Sequence, residues 1–155
     1  MKTSSADILV MSPDGEYLMI VEVKNDDVRS RTQNAIEQLK WQMASTGCSV
    51  GLLVAGERVI LLRDSFEKLN GESINIVGEA KLPDFLLPPA DREWERNPEF
   101  EFASRVQRWL ETLQRTGSMS DLPDDLKSLF GGSIANLLRL GEVRSAGPRW
   151  SKVAR

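Results

Sequence analysis

The stretch ADILVMSPDGEYLMIVEVK, residues 6–24, decides how this chain is read. Two apolar, β-branched runs, residues 6–12 and 17–24, flank Pro13, Asp14 and Gly15, and that turn chemistry between them predicts a β-hairpin. In the second run Glu22 and Lys24 interrupt a strand whose other residues are all apolar. A strand apolar on both faces belongs in the middle of a sheet, where an ionised carboxylate is costly unless it is paired or bound to a metal. With the turn centred between Asp14 and Gly15, Asp7 falls opposite Glu22 on the same face, with Cβ atoms about 5 Å apart. Period-two alternation places Lys24 on that face beside Glu22. Two carboxylates and one ammonium therefore converge.

Working outward, Ile36, Leu39, Met43 and Ala44 follow a helical period over residues 32–47, with Thr32 placed to cap the start and Gly47 the end. Residues 49–55 and 58–63 flank Gly56 and Glu57 as a second hairpin, and the more apolar first strand reads as central. Strand pair, helix and strand pair predict an α/β domain with a mixed sheet and a helix crossing over it. Residues 82–98 hold four of the seven prolines and read as an extended surface connector. Phe102, Val106, Trp109, Leu110 and Leu113 share one face of a helix over residues 99–114 that should dock on the sheet. Shorter helices over residues 123–130 and 133–140 follow, broken by Gly131 and Gly132. The expected division is a core at residues 1–82, a connector at 83–98, a helical extension at 99–141 and a basic tail at 142–155. Residues 139–155 carry a local charge of +4, against −7 for the rest.

Composition narrows the chemistry. At 155 residues, with 41% hydrophobic and 28% charged residues, the chain suits one domain with its own core. The net charge of −3 argues against a globally basic nucleic-acid coat protein and leaves a local basic patch open. The single cysteine, Cys48, and the absence of histidine exclude an intrachain disulfide, a structural zinc ligand set and every site built on imidazole. No run approaches the roughly 18 apolar residues of a membrane span, so the expectation is a cytoplasmic protein with no membrane partner. Chemistry must rest on carboxylates, Lys, Arg or hydroxyls. Two facing carboxylates repel, a divalent cation between them relieves the repulsion, and Mg2+ accepts one or two carboxylates while keeping waters or phosphate oxygens. Phosphodiester hydrolysis is the reaction class this predicts, with Lys24 orienting water or stabilising charge. The same residues could instead form a solvated cross-strand cluster near the end of an edge hairpin.

Asp7 after Ala6, followed by Glu22-Val23-Lys24, resembles the PD-(D/E)XK, or restriction-endonuclease-like, nuclease superfamily over residues 6–63. The acid-x-lysine tripeptide alone carries little, since chance supplies about one match and Glu79-Ala80-Lys81 and Asp125-Leu126-Lys127 also fit. Neither of those lies in a strongly apolar strand with an acid opposed across a tight turn. The resemblance implies a restriction-endonuclease-like mixed sheet flanked by helices. It also implies Asp7 and Glu22 as ligands of Mg2+ or Mn2+, the Val23 carbonyl as a further ligand, Lys24 as a catalytic residue, and DNA as the partner. Residues 38–43, QLKWQM, are similar to a glutamine motif on the helix after the catalytic hairpin, which makes Gln38 a further catalytic candidate. In that family a helix and a strand precede the strand of the first acid. Six residues cannot form them, so the expectation is a shortened or degenerate core, or one completed at its open edge by a homodimer partner or another chain. A catalytically inactive interaction or DNA-binding subunit is the alternative to a nuclease.

Overall fold

A computed structural model describes residues 6–117 and 119–145. Its centre is a six-stranded mixed sheet with helices on both faces. The first hairpin forms as the turn chemistry predicts: β1 (Ile8–Met11) runs antiparallel to β2 (Tyr17–Lys24), with Gly15 at φ +89° in the turn. Ile8 pairs with Val21, Leu9 with Ile20 and Val10 with Met19, the register that sets Asp7 against Glu22. A bulge between Val10 and Met11 absorbs the turn's extra residue without moving that register.

Helix α1 (Arg29–Thr46) then crosses to β3 (Val50–Ala55), which lies parallel to β2, and β4 (Arg58–Asp64) returns antiparallel. Gly47 closes α1 in the left-handed conformation (φ +74°), as expected of a helix-ending glycine. Thr32 does not cap the start: the helix begins a turn earlier at Arg29, and Thr32 is buried on its inner face. Every residue of β3 is buried, so it is the central strand its composition indicates. Leu39 and Met43 press so closely on β3 that a Cβ at Gly51 would meet Met43 Sδ at 2.6 Å.

Two strands go beyond the expectation. β5 (Ile74–Lys81) extends the sheet beyond β4, and β6 (Glu142–Ser145) pairs antiparallel with β1, giving the order β5-β4-β3-β2-β1-β6. The edge beside β1, expected to be open, is therefore occupied by the chain itself, and residues 142–145 are sheet rather than tail. The rest of the expected basic tail, residues 146–155, lies outside the described residues. The connector holds a single-turn 3-10 helix (Asp84–Leu86) whose Leu86 is buried.

Helices α2 (Pro98–Thr116) and α3 (Asp124–Leu140) cover the face opposite α1. Asn97 caps α2 by accepting from the Glu99 and Phe100 amides. The apolar stripe of α2 docks as its spacing predicts: Phe102, Val106, Trp109, Leu110 and Leu113 are all buried. The two short helices join into α3, kinked at Gly131, whose φ +54° and ψ −158° no ordinary side chain adopts easily. At the end of α3, Gly141 allows the turn into β6, because a Cβ there would lie 2.9 Å from Met11 O. The Gln114 side chain spans this joint, donating to the Leu138 and Gly141 carbonyls.

Candidate active site

Asp7 and Glu22 meet beneath α1. Alternation along β2 puts Glu22 on the same face as Ile20, and alternation along β1 puts Asp7 with Leu9; both apolar partners belong to the cluster under α1. The carboxylates are almost fully enclosed, at 3% and 2% residue exposure. Backbone geometry locks the pair in place. The Asp7 amide donates to Val21 O at 3.2 Å, and Asp7 Oδ2 accepts from the Val23 amide at 2.8 Å. That bond continues the β1–β2 pairing through a side chain where β1 ends. It also fixes the direction of Val23: its amide faces Asp7, and strand alternation points its carbonyl to the same side. Lys24, whose carbonyl accepts from Gly56, uses the opposite side.

From above, α1 supplies one polar group to the pair. Gln42 is buried, and its Nε2 donates to Glu22 Oε2 at 3.1 Å. Burial, the neighbouring Asp7 charge and a hydrogen bond to Asp7 push Glu22 up from 4.5 to about 8; the Lys24 charge and the Gln42 amide oppose them. At neutral pH Glu22 therefore holds a proton and shares a hydrogen bond with Asp7. Lys24 is half-buried on the same face, close enough for its charge to act on Glu22.

The structure thus brings Asp7, Glu22, Val23 and Lys24 together. Gln38 is not part of the group: it lies exposed on α1, one turn before Gln42. The relevant glutamine was detectable, because Gln42 falls on the stripe of Thr32, Ala35, Ile36, Leu39 and Met43, the face of α1 that packs on the sheet. Arg31 is taken by Asp26 at 2.6 Å. Trp94 packs at 5.5 Å from Phe102 and Trp109 is core, whereas Trp41 is 57% exposed.

The donor set fits a small hard cation. Two carboxylates on one face, and the Val23 carbonyl pointing in the sheet plane toward the Asp7 side, are oxygen donors of the kind Mg2+ accepts, its other octahedral positions being filled by water or substrate oxygens. Among the described residues there is no group of three or more Asp, Glu, His or Cys that could hold a metal. No described helix is long and apolar enough to cross a membrane. Comparison with protein-family models, curated proteins and solved structures finds no match to this chain, so its chemistry rests on its own residues.

Proposed function

We propose that the chain is a restriction-endonuclease-like domain that hydrolyses phosphodiester bonds, in DNA, with Mg2+ or Mn2+ held by Asp7 and Glu22. The observation that carries this reading is the enforced meeting of the two carboxylates, with Lys24 on the same face. Burying two acids together costs several kcal/mol, and nothing in the packing of a sheet requires it. Such expense is typical of functional sites. The nucleic-acid part of the reading comes from the resemblance of Asp7 and Glu22-Val23-Lys24 to the nuclease motif.

The topology supports the same reading. The family's sheet needs a helix and a strand beside the strand of the first acid, and α3 followed by β6 stands beside β1. The proposal is that the later part of the chain provides the layer that elsewhere comes first, so the order of elements is permuted while the sheet around the site is complete.

In this site the Val23 amide holds Asp7, and Gln42 holds Glu22, so neither carboxylate can swing away. Bound between them with the Val23 carbonyl, the cation would supply a water of lowered pKa and a polarised phosphoryl oxygen. Lys24, half-buried on the same face, would orient that water or stabilise the charge developing on phosphate. On binding the cation, Glu22 would give up its proton.

A second reading is favoured by one observation, the near-complete burial of both acids, which suits a domain keeping the hairpin as structure while binding DNA or a partner without cleaving it. Nicking of supercoiled plasmid and degradation of single-stranded DNA, with and without Mg2+ or Mn2+, separate the two. The nuclease reading requires metal-dependent cleavage that Asp7→Ala, Glu22→Ala and Lys24→Ala each abolish while remaining folded. Metal-independent, salt-sensitive DNA binding without cleavage would select the second.

A further inference from the structure

On the opposite side of the sheet from Asp7 and Glu22, α2 and the connector enclose a cleft of about 360 Å3. Its lining is Phe85 and Leu86 from the 3-10 turn, and Arg105, Arg108, Trp109 and Thr112 from α2. The α2 residues recur at three, four and seven positions, so they form one stripe facing the connector. Sequence reading treats this region as a surface connector and a docking helix, and the proposed nuclease chemistry makes no use of it.

The walls are fixed before any ligand arrives. Arg105 donates to Glu101 Oε2 at 2.7 Å and to Leu86 O at 3.4 Å, and its guanidinium lies 4.9 Å from the centre of the Trp94 ring. Glu101 in turn accepts from the Glu95 and Arg96 amides. Arg105 is thus a strut tying connector to helix, with its charge already matched. Arg108 is different: it is exposed, and its guanidinium has no hydrogen-bond or ion-pair partner among the described residues. Phe85, 70% exposed, also lines the cleft, and Leu86 and Trp109 in its lining are buried and apolar.

We propose that this cleft binds a small ligand made of a flat aromatic ring bearing one anionic group. Its ring would lie on Phe85 over the Leu86–Trp109 floor, and its phosphate or carboxylate would meet Arg108. An unmatched guanidinium offers a two-pronged contact to such a group, and a preformed apolar wall lowers the ordering cost of binding. A nucleoside monophosphate and an aromatic carboxylate share this chemistry. The inference does not depend on the nuclease reading.

Isothermal titration calorimetry of the full chain tests it with adenosine 5′-monophosphate and 2-naphthoate, using adenosine, inorganic phosphate and acetate as half-ligands. Saturable binding is expected for at least one aromatic anion, with each half-ligand weaker by about tenfold or more. Binding of the nucleotide alone identifies a nucleotide site; binding of both identifies a general aromatic-anion site. Arg108→Ala and Phe85→Ala, both at exposed side chains, should each weaken binding about tenfold with an unchanged melting temperature. If Arg108→Ala fails to fold, Arg108→Gln takes its place, and Phe85→Leu takes that of Phe85→Ala. Asp7→Ala should leave the affinity unaltered. Absence of binding by both aromatic anions, or affinity indifferent to Arg108 and Phe85, overturns the proposal.

Discussion

Replacing Glu22 with glutamine should remove a specific dependence of stability on pH. The unfolded chain ionises this carboxyl at about its ordinary value of 4.5, whereas burial and the Asp7 charge hold it to about 8 in the fold. Between those limits the native state binds one more proton than the unfolded state. The pair's contribution is fully present below 4.5 and is lost as pH rises to 8, at about 1.4 kcal/mol per unit. From pH 5 to 7 that is a loss of about 3 kcal/mol. Glutamine is neutral throughout, can donate to Asp7 as the protonated acid does, and can still accept from Gln42 Nε2. The two proteins should therefore be about equally stable at pH 5, with the variant ahead by about 3 kcal/mol at pH 7. Urea unfolding of both proteins at pH 5, 6 and 7 measures the difference, in which titrating groups not coupled to Glu22 cancel. A gap that stays constant with pH would refute the reasoning, because it would mean that Glu22 is not held protonated by its surroundings.

Other substitutions probe the support around the pair and the closure of the sheet. Gln42→Ala removes the amide that holds Glu22 and should cost about 1–3 kcal/mol in chemical denaturation at pH 7, whereas Gln38→Ala, on the solvent face, should change stability by less than about 0.5 kcal/mol. Gly141→Val would drive side-chain atoms into Val10, Leu18 and the Met11 carbonyl. It should cost about 1–3 kcal/mol and speed amide exchange selectively in β1 and β6, while exchange in β3 and β4 stays slow. Phe102→Ala empties a fully buried site between α2 and the sheet and should cost about 3–5 kcal/mol by urea unfolding.

What could be read from the residues follows how locally each element is specified. The first hairpin was legible to the level of register, because Pro13-Asp14-Gly15 fixes the turn and the apolar runs on both sides leave Glu22 and Lys24 conspicuous. The crossover from β2 through α1 to β3 was legible for the same reason. β5 was missed because five of its eight residues are exposed and Gly78 interrupts its pattern, so its strand character comes from pairing with β4. β6 is harder still: EVRS contains one apolar residue and reads as part of a charged tail, and only the free edge of β1 makes it a strand. That edge is a tertiary fact, invisible at residues 142–145. In the site, strand alternation points to the acids, whereas likeness to a motif points to Gln38; the helical period of the buried stripe selects Gln42.

Calorimetric titration of the protein with Mn2+ at pH 7, repeated in buffers of different ionisation enthalpy, tests the proposed cation site at Asp7 and Glu22. Saturable binding with release of about one proton, the one held by Glu22, is expected, with loss of binding in Asp7→Ala and Glu22→Gln. Absence of binding by the native protein, or binding that survives both substitutions, would contradict it.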